Sequence, residues 1–438
     1  MPPTNTGEQK SKASENSSAS ECQPSTGPPA IEAHTPETQE TKRLSSEPLT
    51  NSGTPENDKN TTAFKRLAGD SHVFVRNKRI DCLRGVAVLS VVFLHSAIRI
   101  PVFSKAGWMG VDLFFVLSGF LISGLLFREY QKRQTIDVRR FFIRRGLKIY
   151  PSFWLFLAVT WGVSQLNHDA PTASPQAYLR ELFFIQNYFP GVWIHTWSLA
   201  VEEHFYILLP LFLLALTRLS RNRRDPFWCI GWCAAAIGFA CIFVRLALVV
   251  LPQNPNFHLA YQGTHARIDS LFFGVLLGYL YNYHRNRLER ALGSTFRRIA
   301  IAVASIGLLL PGYFVPRDSK AFSVLGYTML YLGFGGILLL SVHVRGVLPL
   351  GPSKWLRPIG DGLAYVGMYS YSIYLWHFAI LGWPNLLAYR FFQTTLPPIP
   401  YLILYLLLCL TMGITISRAV EYPILKLRDR LFPERQTG

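Results

Sequence analysis

Residues 79–96 read RIDCLRGVAVLSVVFLHS, an apolar stretch with Asp81 and Arg84 near one end and His95 near the other. Charge is expensive in hydrocarbon, yet the middle of this stretch is as apolar as a membrane-crossing helix. Similar windows of about 20 residues recur to the end of the chain. Of the 438 residues, 50% are hydrophobic and 16% are charged, which is little charge for a soluble protein. The sequence therefore predicts an all-α, polytopic bundle of membrane helices.

Ten transmembrane helices are predicted, and the distribution of Lys and Arg predicts their orientation. The five predicted inner loops, taken as 128–148, 217–227, 284–298, 343–362 and 417–438, carry 25 of these residues, and the five outer loops, counted with Arg99, carry 6. By the positive-inside rule, both termini are predicted to lie in the cytoplasm. The expected location is the plasma (inner) membrane, as a multi-pass protein. The apolar segment 176–190 is short and charged, so it is predicted to be re-entrant or interfacial on the outer side. The approximate spans are 80–100, 107–127, 149–167, 196–216, 228–251, 267–284, 298–315, 322–342, 363–389 and 401–420.

Composition divides the chain into three parts. Residues 1–75 are rich in Ser, Thr, Pro and Glu and are predicted to form a disordered cytoplasmic tail. Residues 76–430 form the membrane domain, and 431–438 form a short cytoplasmic tail. The net charge of +18 resides largely in short loops, which indicates membrane topology and argues against nucleic-acid binding. The positions of the six cysteines imply neither a disulfide framework nor a metal site.

The first two spans contain the leading candidates for a functional site. Arg84 and His95 share one helix face and stand about 16 Å apart along its axis. Arg84 either binds a ligand or reaches inner lipid headgroups, whereas an ionisable His95 inside a span favours function. Asp112 of the second span lies at about the depth of His95, so the two side chains can form the carboxylate–imidazole pair of a general base. Alternatively, Asp112 only caps or braces its helix.

The fourth span opens with TWSLAVEEHFY, in which Glu202 and Glu203 lie about 10 Å below the outer surface. Two adjacent acids point about 100° apart on a helix, so only one can face the cavity of His95. Such acids are costly at that depth unless they meet cations or water, which favours function. Ser118 and Ser123 in the second span are small residues that permit close helix approach.

Four further groups have plain structural explanations as well as functional ones. Arg267 and Asp269 open the sixth span and can form an interfacial ion pair. His377 in the ninth span can be a hydrogen-bonded packing residue. The predicted inner loop REYQKRQTIDVRRFFIRRGLKIYP carries eight basic residues, which either report topology or bind the phosphates of a cytosolic ligand. Its candidates for phosphate binding are Arg144, Arg145 and Lys148.

Taken together, these residues resemble the acyltransferase-3 family of membrane-bound O-acyltransferases, which includes enzymes that acetylate O-antigen and peptidoglycan. The resemblance covers nearly all of residues 79–430, and seven pieces of sequence occur in the family's order. These pieces are LRG, GVDLFFVLSGFLIS, RRGLKIYP, TWSLAVEEHFY, RIDSLFFGVLLG, YSIYLWHF and EYPILKLRDR.

The resemblance implies an enzyme that moves an acyl group, typically acetyl from acetyl-coenzyme A, to a hydroxyl of an extracytoplasmic acceptor. That acceptor is commonly a carbohydrate of the cell envelope, such as lipopolysaccharide or peptidoglycan, or a glycolipid. Membrane lipids and an acyl-CoA are then its other partners, and no tightly bound cofactor is expected. The family's histidine, arginine and aspartate correspond to His95, Arg84 and Asp112. Its paired serines and its fourth-span glutamate correspond to Ser118, Ser123 and Glu202.

The working hypothesis assigns catalysis to His95, oriented by Asp112 or Glu202, and donor binding to Arg84 and the basic segment. The family usually has Arg at the position of Lys148, where a point charge would replace a bidentate contact. Two alternatives remain open: a transporter or flippase of a lipid- or sugar-linked substrate, and a catalytically silent scaffold. The sequence shows no internal repeat of the kind typical of transporters.

Overall fold

The computed structural model describes residues 77–96, 98–166, 174–343 and 356–433. Within these ranges the chain forms helices and connecting turns and contains no β-strand. The all-α class is therefore confirmed for this part of the chain. The predicted tail 1–75 and the end of the predicted tail 431–438 lie outside the described residues.

Most of the predicted spans begin and end within a few residues of a long helix. Short 3₁₀ turns occupy Gly107–Met109 and Ile194–Thr196, and π-helical turns occupy Phe322–Gly326 and Ser417–Glu421. The α-helices are α1 (Lys78–His95), α2 (Pro101–Ala106), α3 (Gly110–Arg133), α4 (Val138–Leu166), α5 (Pro175–Leu182), α6 (Trp197–Leu219), α7 (Ile230–Val249), α8 (Phe257–Gln262), α9 (Thr264–Tyr283), α10 (Arg285–Leu292), α11 (Thr295–Leu309), α12 (Pro311–Phe314), α13 (Tyr327–His343), α14 (Leu356–Met368), α15 (Ser370–Trp376), α16 (Trp383–Phe392), α17 (Pro398–Ile416) and α18 (Tyr422–Leu431).

In the described residues, six helical segments are long and apolar enough to cross a membrane, which is typical of a multipass membrane protein. They contain α3, α6, α7, α11, α13 and α17. The other four predicted spans correspond to α1, α4, α9 and the α14–α16 region. In α1 and α4 the apolar run is interrupted by several charged residues, and the α14–α16 region is broken into short helices.

The ninth predicted span, 363–389, was expected to be one helix and instead forms three. The first ends at Met368, the second at Trp376, and residues 377–382 are turns. Pro384 then stands in the first turn of α16, a position that suits proline because its missing N–H has no helical partner there. Non-helical backbone inside a membrane bundle is tolerated where protein buries it. The break places His377 directly after α15.

The basic segment predicted as an inner loop is mostly helical. Helix α3 continues to Arg133 and α4 already begins at Val138, because Arg, Lys and Gln are good helix formers. The chain reverses at residues 134–137, where Gln134 adopts a left-handed φ of 56°. The candidate cations Arg144, Arg145 and Lys148 therefore lie on α4.

Close backbone contacts hold the central helices in register. Helix α3 packs along α9, and α1 packs along α14. A Cβ atom on Gly119 would come within 2.0 Å of the Leu271 carbonyl oxygen, so only glycine fits at this crossing. Ser123 is fully buried and lies against Gly278, which confirms its predicted role in close helix approach.

Candidate active site

Three imidazole side chains meet where α1, α6 and the break after α15 converge. His95 is the last residue of α1, His377 follows α15, and His195 lies in the 3₁₀ turn before α6. The ring centroids of His95 and His377 are 5.1 Å apart, and those of His195 and His377 are 5.0 Å apart. We call these three residues the imidazole cluster.

Hydrogen-bond partners determine which nitrogen of His95 is free. His377 Nδ1 lies in hydrogen-bond contact with the Tyr374 carbonyl oxygen, which only accepts, so Nδ1 carries the hydrogen. In a neutral ring, His377 Nε2 is then an acceptor, and it lies 3.1 Å from His95 Nδ1. His95 Nδ1 therefore donates, and its Nε2 keeps a lone pair. This arrangement is that of a general base whose tautomer is fixed by another imidazole.

His195 was missed in the sequence analysis. Its Nε2–H donates to the Leu375 carbonyl oxygen at 3.1 Å, and its ring stacks on Phe378 with centroids 5.3 Å apart. Its carbonyl oxygen accepts from the Tyr374 hydroxyl at 2.7 Å. The sequence feature that could have identified it is its position directly before TWSLAVEEHFY. It lies outside the predicted helix, so the arguments from helical phase and depth did not apply to it.

A cavity of about 640 Å³ adjoins His95. His195 and His377 are 3% and 0% exposed, whereas His95 is only partly buried, so the cluster meets the cavity through His95. A molecule in this cavity can therefore reach the imidazole whose Nε2 is free. The lining residues are Leu94, His95, Ser104, Lys105, Trp108, Tyr313, Phe314, Val315, Pro316 and Arg317.

Asp112 does not pair with His95, contrary to the sequence prediction. Its carboxylate forms a salt bridge with the Arg267 guanidinium, and both side chains are fully buried. Asp269 likewise pairs with Arg245, at 2.8 Å, instead of with Arg267. The physical reason is that a buried guanidinium requires a carboxylate, and the packing of α3 against α9 brings Asp112 to Arg267. We call these four residues the ion-pair network.

Glu202 is the sixth residue of α6 and comes seven residues after His195, roughly 10 Å further along the helix axis. It accepts a hydrogen bond from Ser118 at 2.5 Å, and Tyr150 donates to Glu203 at 3.1 Å. Arg145 interacts electrostatically with both acids. Glu202 therefore belongs to a layer of charge beyond the imidazole cluster, and the structure gives it no contact with His95.

Three of the four predicted donor-binding cations lie in that layer. The guanidinium of Arg145 stands 3.9 Å from the centre of the Tyr206 ring, and its Nε has no hydrogen-bond partner among the described residues. Arg84 and Lys148 are close enough to interact electrostatically, Lys148 with Arg145 as well. Arg144 points elsewhere: it forms a 3.0 Å salt bridge with Asp429 of α18.

A buried carboxylate on α5 holds the turn that carries His195. Glu181 accepts from the Trp193 backbone N–H at 2.9 Å and from the Thr196 hydroxyl at 2.7 Å. Burial raises the pKa of the Glu181 carboxyl to about 7, and the two hydrogen bonds oppose that rise. A Cβ on Gly191 would lie 2.4 Å from the Glu181 carboxylate, so glycine leaves the room this contact needs.

Comparison with known proteins places these residues in a family. Residues 77–418 match the acyltransferase domain of the acyltransferase-3 type. The chain belongs to the acyltransferase-3 family. The match includes every residue of the imidazole cluster and of the ion-pair network. Among described residues, no group of three or more His, Cys, Asp or Glu side chains is placed to hold a metal ion.

Two relatives of this acyltransferase-3 chain carry functional names. The chain is 27% identical over 339 residues to the peptidoglycan O-acetyltransferase OatA of Listeria monocytogenes, covering 73% of this chain and 51% of the relative. It is 27% identical over 371 residues to the O-acetyltransferase OatA of Staphylococcus aureus, covering 81% and 58%. The chain thus spans about half the length of these relatives. No solved structure matches it.

Proposed function

We propose that the chain is a membrane-embedded O-acyltransferase that moves an acetyl group from acetyl-coenzyme A to a hydroxyl of an extracytoplasmic, cell-envelope carbohydrate. Membership of the acyltransferase-3 family and the names of the two relatives support the reaction class. The observation that carries the proposal is the free Nε2 of His95 beside a cavity large enough for a sugar.

In the proposed reaction, the acceptor enters the cavity and places its hydroxyl against His95. Nε2 takes the hydroxyl proton as the oxygen attacks the thioester carbonyl carbon. The C–S bond breaks, and the thiolate of coenzyme A leaves and takes up a proton. The His377 imidazole holds the Nδ1–H of His95 throughout, which keeps Nε2 directed at the acceptor.

The donor is proposed to bind in the charged layer around Arg145. Arg84, Arg145 and Lys148 supply positive charge for the phosphates of coenzyme A, and the Nε of Arg145 is free to donate. Arg84 and His95 stand eleven residues apart on α1, a separation of about 16 Å. A pantetheine arm is of that order of length, so the thioester can reach the imidazole cluster from the donor phosphates.

This mechanism requires the donor and acceptor to approach from opposite sides of the plasma membrane. We propose ten spans with both termini in the cytoplasm, as the distribution of Lys and Arg predicts. Charged residues in α1, α4 and α9 keep those helices from being uniformly apolar, and buried polar groups within a bundle are typical of functional spans.

The test compares envelope glycans from cells that express the wild-type chain, His95→Ala or the control His258→Ala. His258 is exposed and lies on α8, outside the imidazole cluster. The mass spectrum of one glycan should gain one acetyl mass with the wild type and the control, and not with His95→Ala. Full acetylation by a membrane-inserted His95→Ala protein would refute the assignment of the base.

A further inference from the structure

Two cationic side chains line the cavity beside His95. Lys105 and Arg317 both line it and both are exposed, whereas none of its ten lining residues is a carboxylate. In the described part of the chain neither cation forms a salt bridge with an acid. Arg317 also interacts electrostatically with His95. Among the described residues, two positive charges therefore line the cavity without an acidic partner, and one of them, Arg317, interacts with the base.

Aromatic rings hold these cations at the cavity. The Lys105 ammonium lies 5.1 Å from the centre of the Tyr313 ring, and the Arg317 guanidinium lies 4.9 Å from the centre of the Tyr261 ring. Cation–π contacts restrict a side chain without using up its hydrogen-bond donors on an acceptor. Arg317 also donates to the Tyr261 hydroxyl, so the Lys105 ammonium and the remaining N–H groups of the Arg317 guanidinium stay available to an anion.

One further wall of the cavity is apolar and rigid. Trp108 is 5% exposed, and its Nε1–H donates to the Lys105 carbonyl oxygen at 2.7 Å, which fixes the ring. Tyr313, Phe314 and Pro316 add apolar surface. Aromatic faces beside hydrogen-bond donors suit a molecule with both C–H faces and polar groups, as a sugar ring has.

The positive charge at the cavity affects the protonation of His95 during the proposed reaction. When His95 accepts the hydroxyl proton it becomes an imidazolium, and the positive charge of Arg317 opposes that change. An anion bound between Lys105 and Arg317 offsets this cost at the moment when the proton moves. We therefore propose, on the basis of the proposed function, that this cavity is an acceptor subsite for a saccharide that carries a carboxylate or phosphate.

Chemical protection of His95 tests this subsite without any acyl donor. The full chain, in nanodiscs of phosphatidylcholine, is treated with diethyl pyrocarbonate, and modification of His95 is followed by peptide mass spectrometry. Three probes are compared: methyl glucoside, methyl glucuronide and glucose 6-phosphate. The two anionic probes should protect His95 at concentrations at least about tenfold lower than the neutral one. Equal protection by all three, or none by any, overturns the proposal.

Matched variants decide whether the cavity cations cause the protection. The double variant Lys105→Gln/Arg317→Gln should lose the preference for the anionic probes. Lys320→Gln is the control, because Lys320 is an exposed cation of the same loop that does not line the cavity. Modification of the exposed His258 should be unaffected by any probe. Anion protection that survives in the double variant overturns the proposal.

A phospholipid headgroup is the other source of an anion at this position. The experiment is therefore repeated in nanodiscs that contain phosphatidylglycerol and no probe. An acceptor subsite predicts unchanged modification of His95. Protection by phosphatidylglycerol alone, lost in the double variant, overturns the acceptor assignment and makes the cavity a lipid site. Because no donor is present, failure here is distinct from failure of acetyl transfer, which the glycan comparison measures.

Discussion

The imidazole cluster and the ion-pair network both place polar side chains inside an apolar helical bundle, but they differ in whether they reach a cavity. In the ion-pair network, Asp112 meets Arg267 and Asp269 meets Arg245, and all four side chains are at most 2% exposed. In the imidazole cluster, hydrogen bonds end at His95, whose Nε2 is directed away from His377 and whose ring lines a cavity. A buried network that reaches no cavity can brace helices, whereas one that lines a cavity can react with a bound molecule.

The largest expected effect comes from opening the ion-pair network. Arg267→Ala leaves the Asp112 carboxylate buried without its partner, and breaking such a pair costs about 3–5 kcal/mol. Thermal unfolding of the purified protein should show a large loss of Tm. Arg285→Ala is the control, because its salt bridge to Glu289 is exposed and worth at most about 0.5 kcal/mol. Similar Tm values for the two variants would mean that the network is not a brace.

The carboxyl that holds the His195 turn should make stability depend on pH. The pKa of Glu181 rises from 4.5 to about 7 on folding, so the folded state binds this proton more tightly than the unfolded state. Its stabilising contribution is complete below about pH 4.5 and is lost as pH rises through about 7, a change of about 3 kcal/mol. Tm should therefore fall from pH 5 to pH 8 more steeply in the wild type than in Glu181→Gln. Equal slopes would contradict this account.

The hydrogen bond between the imidazoles predicts a smaller effect, on catalysis. His377→Leu removes the acceptor for the His95 Nδ1–H, and kcat should fall roughly 10–100-fold with the acceptor KM little changed. His377→Gln places a side-chain oxygen near the former Nε2 and should recover part of that loss. A purely structural role for His377 predicts equal defects in the two variants, which steady-state kinetics would reveal.

The smallest difference concerns two neighbouring arginines on α4. Arg145 lies in the charged layer near Glu202, so Arg145→Ala should raise the KM for acetyl-coenzyme A about tenfold. Arg144 is engaged by Asp429, so Arg144→Ala should change that KM by less than about threefold. Equal changes in the donor KM would mean that both side chains contact the donor or that neither does, which contradicts this account.

The length of the apolar runs predicted most of the long helices, because the backbone of a run in hydrocarbon must make its hydrogen bonds within a helix. It missed the break after Trp376, since the sequence through His377 stays apolar and only Pro384 marks a new helix. It also predicted a long loop around Gln134. In the structure, charged helix formers extend α3 and α4 into this region.

The sequence analysis named two members of the imidazole cluster, His95 and His377, but it missed His195 and did not predict the pairings. Helical phase and depth identified Asp112, which is fully buried, and His95, which is partly buried, as polar groups within the bundle. Their partners depend on which helices touch, and neither depth nor phase along one helix contains that information. Because α3 packs against α9, Asp112 pairs with Arg267. Because the helix breaks after α15, His377 comes within hydrogen-bond distance of His95.

The central claim is that chemistry occurs at the imidazole cluster and that the ion-pair network only braces it. The most direct measurement is the rate of acetyl transfer per folded molecule in His95→Ala and in the double variant Asp112→Asn/Arg267→Gln, which removes both charges together. The account predicts a loss of about 10²–10⁴-fold for a folded His95→Ala protein and a nearly normal rate for the folded double variant. A folded His95→Ala protein with the wild-type rate, or a folded double variant with none, would contradict it.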